Sequence, residues 1–268
     1  TGRPLRPEPE DGRGATRSSG RIFLAGEALP VAVEVNTERY RIEELREQRQ
    51  LAKRESLPGA DRAVPSYYRE RRSEGDLPLD PSDAEVIKQR IDLLVLHSSH
   101  TQTARHSFLQ LGSTGGSSHL TIDYDGTIYQ NLDLAWEASH SGDAVADARS
   151  VSVDLVNPVT LHERPLPEGV DYEVYGRPLS NFVHIHGEEI QEWGYTEAQL
   201  ASLYKLCREL IRVLPRLPGR LPGGGDVPLA VLPGHEGFKG VLGHLHLHAR
   251  ATDPGPGFDW SELARHLR

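Results

Sequence analysis

One short run constrains this chain more than any other feature: Ile91-Asp92-Leu93-Leu94-Val95-Leu96-His97. It is almost continuously apolar and closes on a polar side chain. A strand with one wet face alternates apolar and polar residues, whereas a strand covered on both faces reads as an unbroken apolar run. The chain must therefore place structure on both sides of this strand. Its C-terminal end, carrying His97, points to a site.

The rest of the pattern supplies those layers. Val151–Val156 is a second apolar strand, and Ala84–Arg90 and Thr103–Leu111 read as helices. His119–Ile122 and Thr127–Gln130 flank Asp125-Gly126, the strongest short hairpin signal in the chain. Thr196 and Gln199 make a capping box, and Leu200, Leu203, Cys207, Leu210, Ile211 and Leu214 follow at helical spacing up to Pro215. Strands alternating with helices give an α/β class with a central sheet.

At 268 residues the chain has room for one or two domains. Residues 1–20 hold almost nothing that can be buried and read as a disordered or draped arm. Residues 21–84 read as an N-terminal extension. It holds a small hairpin (Ile22, Phe23, Leu24, then Val31, Val33, Val35, with Gly26-Glu27 at the turn), a charged helix over Tyr40–Glu55, and a linker or wrapped segment over Leu57–Pro81. The compact domain covers 85–268, interrupted by a long proline-containing loop, Pro158–Ser180.

Composition removes several classes of function. The net charge of −9 argues against nucleic acid, since phosphate contact needs clustered Lys and Arg. No apolar run approaches the ~20 residues of a transmembrane helix. The lone Cys207 excludes an internal disulfide and is expected to pack on a helix face. The chain begins with Thr and contains no Met, so it reads as processed or trimmed, with any signal peptide already gone. The compartment is not legible from what remains.

The densest polar signal is histidine, of which there are 13. His97 closes a buried strand. His244, His246 and His248 alternate, so in an extended segment they share a face. Asp253 follows within nine residues of His244, ahead of Pro254-Gly255-Pro256, which would hold its loop in one conformation. Two imidazoles and a carboxylate suit zinc and leave a fourth position for water. Water so bound has a pKa near ~7.

Several segments resemble one family when taken in order. They are Leu94–His97, Ser118–Gln130, Ala138-Ser139-His140-Ser141-Gly142, Ser150–Asn157, Gly243-His244, and the closing run Asp253-Pro254-Gly255-Pro256-Gly257-Phe258-Asp259-Trp260. Over about residues 85–268 the chain is similar to zinc-dependent N-acetylmuramoyl-L-alanine amidases, the group that includes peptidoglycan recognition proteins. The resemblance implies a central mixed β-sheet flanked by helices, here with an irregular N-terminal extension. It implies Zn2+ held by His97, His244 and Asp253, and hydrolysis of the amide between N-acetylmuramic acid and L-alanine in peptidoglycan. Asp154 would be the general base. His119, His140, His246 and Arg250 would contact substrate. The setting would be secreted, periplasmic or particle-associated.

Two positions depart from the family pattern. Asp154 stands where the family usually has Glu, one methylene longer. Ala251 stands where many active members carry a Lys that stabilises the oxyanion. A second reading therefore stays open: a weak or inactive module that binds peptidoglycan or serves as a structural part of a larger wall-targeting assembly. The extension could contact a protein partner. The Arg69–Arg72 run reads first as solvated charge, and second as a contact to an assembly or to anionic wall polymers.

Overall fold

Parallel pairing fixes the middle of the molecule. The apolar run forms β4 (Leu93–Ser98), with β8 (Ser150–Leu155) on one side and β11 (Gly240–Gly243) on the other, both parallel to it. The computed structural model describes residues 19–42, 69–157 and 177–267. Four further strands complete the sheet: β1 (Ser19–Leu24), β2 (Glu27–Asn36), β5 (Leu120–Ile122) and β6 (Ile128–Gln130). The order is β1-β2-β6-β5-β8-β4-β11, with antiparallel β1–β2 and β5–β6 pairs in an otherwise parallel arrangement. The fold is thus α/β, with a mixed central sheet flanked by helices. Two small ribbons lie outside it, β3 (Arg69–Glu70) with β7 (Trp136–Glu137), and β9 (Val183–Ile185) with β10 (Glu188–Ile190).

Both faces of β4 are covered, as its composition requires. Leu94 and Leu96, with Val151, Val153 and Val241, pack on one face against α1 (Ala84–Arg90), α4 (Glu197–Val213) and α5 (Trp260–His266). Leu93, Val95 and Leu242 pack on the other, against Ala146 of α3 (Ala144–Arg149) and Leu247. Each fully buried aliphatic side chain contributes about 1.5–3 kcal/mol. The remaining helix, α2 (Ala104–Thr114), is capped by the Thr103 hydroxyl and buries Phe108 beside Ile42 and Leu132.

Local signals held where they were strongest. Thr196 and Gln199 form the expected capping box on α4, which buries Leu203, Cys207 and Leu210 and ends with Leu214 as its C-cap. The β5–β6 turn contains Gly126 at φ 85°, and a Cβ there would meet the Ala198 carbonyl at 2.7 Å. Only glycine lets that hairpin seat on α4.

The N-terminal hairpin is real but does not stand apart. Its turn is Ala25-Gly26, both at positive φ, one residue before the expected pair. β2 pairs with β6 through Val35 and Ile128, and Ile22, Leu24, Val31 and Val33 join the main core. Ser19 and Gly20, expected in the arm, begin β1. The rest of that arm, most of the expected charged helix and most of the Pro158–Ser180 loop lie outside the described residues. The Arg69–Arg72 run is not uniformly solvated. Arg69 and Arg72 are exposed, but Arg71 is completely buried. Its guanidinium donates to the carbonyls of Leu134 at 2.9 Å and Ser150 at 2.8 Å, and lies 2.9 Å from His119 Nε2.

Candidate metal centre

The C-terminal ends of the central strands converge. His97 on β4 and Asp154 on β8 are paired in register on adjacent parallel strands and project to the same side. β8 explains the polarity of that side. Val151, Val153 and Leu155 enter the core, while Ser150, Ser152 and Asp154 alternate onto the opposite face. His244 follows β11 directly, on a single turn of 3-10 helix. Gly243 makes this possible, since a Cβ there would come within 2.6 Å of Pro254 and 3.0 Å of Trp260.

Asp253 ties the two histidines together. Its Oδ1 lies 3.0 Å from His244 Nδ1, and its Oδ2 lies 3.2 Å from both His97 Nδ1 and the Ser98 amide. One donor atom from each of His97, His244 and Asp253 falls within a 4.8 Å group. The other ring nitrogens are held by protein: His244 Nε2 by the Ser141 carbonyl at 3.0 Å, and His97 Nε2 by His140 Nδ1 at 2.8 Å. Metal-ligating imidazoles are oriented in this way. The donor set, two imidazoles and a carboxylate, is that of an open zinc site, so the residues fit the metal.

Electrostatics favour the same use. Burial pushes the Asp253 carboxyl up, but hydrogen bonds and charge from His244 and His97 outweigh it and hold it well below its ordinary value. Burial lowers His244, yet Asp253 raises it overall. Asp154 is raised to about 6, chiefly by burial and further by Asp253, with His97 opposing. His140 is held well below its ordinary value, by burial first and then by the neighbouring His97, so it is neutral near pH 7. Its Nε2 sits 2.8 Å from Ser150 Oγ and 3.3 Å from Asp147 Oδ1.

His97, His140, Asp154, His244 and Asp253 line one cavity of about 310 Å3. Three other expected site residues do not reach it. His119 is completely buried beneath the sheet end, bound to Ser152 Oγ at 3.0 Å and the Trp136 carbonyl at 3.0 Å, with its pKa lowered to about 3 by burial and by Arg71. His246 was expected to share a face with His244. The strand ends at Gly243, so the 3-10 turn swings His246 into the core, 2.8 Å from the Pro228 carbonyl and edge-on to Trp260. Arg250 lies exposed in a turn beside His248. Ala251, at the position of the missing Lys, is buried, and among the described residues no Lys or Arg lines the cavity.

The sequence reading missed one wall. Ser107, Gln110 and Thr114 of α2 line the cavity at spacings of three and four residues. That polar stripe on a correctly expected helix was the available signal.

Residues 87–256 match the family described as N-acetylmuramoyl-L-alanine amidase. No curated protein matches the chain. Among solved structures, it is similar to AmpDh3 of Pseudomonas aeruginosa in complex with an anhydromuramic pentapeptide, at 18% identity and a TM-score of 0.43, over 66% of this chain and 60% of that one. It is also similar to AmiD of E. coli in complex with anhydro-N-acetylmuramic acid-L-Ala-D-gamma-Glu-L-Lys, at 19% identity and a TM-score of 0.45, over 74% and 65%. The chain thus spans less than two thirds of either protein.

Proposed function

This chain belongs to the N-acetylmuramoyl-L-alanine amidase family, and from that premise we propose that it hydrolyses the amide between N-acetylmuramic acid and the L-alanine of peptidoglycan, with zinc held by His97, His244 and Asp253. The convergence of those three side chains at one strand end carries the reading. Zinc there would acidify a water molecule and polarise the scissile carbonyl.

The chain's own residues supply the remainder. Asp154, raised to about 6, is largely ionised at neutral pH and sits beside His97 as the acceptor for the attacking water's proton. Neutral His140 accepts from His97 Nε2 at its Nδ1 and keeps that ring in place, its own Nε2–H turned to Ser150 and Asp147. Ser107, Gln110 and Thr114 offer hydroxyl and amide partners to a polar substrate. No described helix is long and apolar enough to cross a membrane. The setting that goes with this proposal is secreted, periplasmic or particle-associated, where intact peptidoglycan is met.

The test is release of L-Ala-terminated peptides from purified muropeptides, abolished by chelation and restored by zinc. No release between pH 6 and 9 would overturn the reading. One observation favours a second reading, a module that binds peptidoglycan with little turnover: among the described residues the cavity lining has no Lys or Arg, and the acid beside His97 is the shorter Asp154. Sacculus binding without cleavage, unchanged in Asp154→Glu, would support that reading instead.

A further inference from the structure

The strands that end at the metal centre begin at another hollow. Asp92, Arg149 and Lys239 immediately precede β4, β8 and β11, and all three line a cavity of about 800 Å3. A six-residue strand is about 20 Å long, so the length of the sheet separates this hollow from His97. Arg69 and Arg72, on the segment that carries the buried Arg71, form a second wall, and Arg90 at the end of α1 forms part of a third. Volumes of this order hold small-molecule ligands.

Four of its five cations are paired with carboxylates in place, two of them sharing Asp92. Arg69 pairs with Glu137 at 2.8 Å, Arg72 with Asp76 at 3.1 Å, and Arg149 and Lys239 with Asp92 at 2.6 and 3.1 Å. Arg90 is the exception among the described residues. Its Nε donates to the Arg72 carbonyl and no carboxylate pairs with it, so its two terminal nitrogens remain available while the side chain is partly buried. A guanidinium so placed fits a carboxylate in fork geometry. At the rim, Glu74 and Glu236 are exposed and suit an amine. Between them lies a small apolar wall of Ala144, Val145 and Ala148, with Val145 half exposed. The lining carries both signs in equal number, which disfavours a polyanion.

We infer that this hollow binds a short zwitterionic peptide, its free carboxylate on Arg90, its amine toward Glu74 or Glu236, and its small side chains against Val145. The inference stands on this lining alone and not on the reading of the metal centre.

The experiment is isothermal titration of the zinc-loaded full chain with the tripeptide Ala-Ala-Ala. Saturable one-to-one binding is expected, weakened at least about tenfold by Arg90→Gln, the loss set by one charge-assisted hydrogen-bonded pair. Val145→Trp, a surface substitution that fills the hollow, gives the same loss without touching Arg90. The chelated, zinc-free parent binds the peptide as the zinc-loaded parent does, and the N-acetylated, C-amidated peptide does not bind. The inference is overturned by absence of saturable binding, by parent-like binding in both Arg90→Gln and Val145→Trp, by loss in the zinc-free parent, by equal binding of the capped peptide, or by inorganic phosphate binding as tightly as the peptide.

Discussion

Asp154 stands beside His97 in register on the neighbouring parallel strand, and both line the cavity that His244 and Asp253 close. A carboxylate in that position can take a proton only when ionised. Burial raises it to about 6, and a cation at the adjacent centre pulls the midpoint lower. The rate of the zinc-loaded enzyme should therefore rise with pH through an acid limb centred no higher than about 6 and then level off. Asp154→Asn should cost about 10²–10⁴-fold in kcat and remove the limb. Asp154→Glu should exceed the parent if reach is what limits the shorter acid. A limb that survives in Asp154→Asn would assign the base elsewhere.

The geometry separates histidines that the sequence grouped. His97 and His244 point at Asp253, whereas His119 and His246 hold neighbouring backbone. Elemental analysis should find about one zinc per chain in the parent, in line with a three-ligand open site, and little in His97→Ala or His244→Ala. His246→Ala should keep its zinc while losing about 1–3 kcal/mol of stability, from the unpaired carbonyl and the lost edge-on contact with Trp260. Zinc loss in folded His246→Ala would contradict the placement.

What was legible in the sequence was local. The apolar run ending at His97, the Asp125-Gly126 turn and the Thr196 cap each state their structure within a few residues. The ligand set came from resemblance, and it names residues that the fold brings together. Two readings failed for a physical reason. The alternation of His244 and His246 means one face only while the backbone stays extended, and the chain turns at Gly243. A run of arginines reads as solvated charge unless its carbonyl partners are known, and those of Arg71 lie 63 to 79 residues away.

That distance makes Arg71 a test of how the segment before α1 is joined to the domain. Its side chain is the partner of two buried carbonyls at under 3 Å and touches His119, whose ring is bound to Ser152. Arg71→Leu strands those carbonyls and should cost on the order of 3–5 kcal/mol in urea unfolding. Arg71→Lys keeps the charge without the planar fork and should recover less than half of the loss. Recovery to parent stability would mean that charge alone matters there.

Glu192 carries the last prediction. It is buried against Gly255 and Gly257, just past Asp253, and its carboxyl is raised to about 8 by burial and by Asp253, with the two glycine amides partly opposing. The folded chain then holds a proton that the unfolded chain releases above about 4.3. Stability must fall as pH rises from there toward 8, because over that window the folded state binds more protons. Glu192→Gln keeps the shape and removes the ionisation. In zinc-free protein it should raise the unfolding free energy by on the order of 2–4 kcal/mol at pH 8 and by little at pH 5. Zinc should shrink the gain, since it neutralises the Asp253 charge that helps to raise Glu192. Urea titrations at the two pH values, with and without zinc, decide it: an equal gain at both, or none at pH 8, means that Glu192 does not hold its proton in the folded chain.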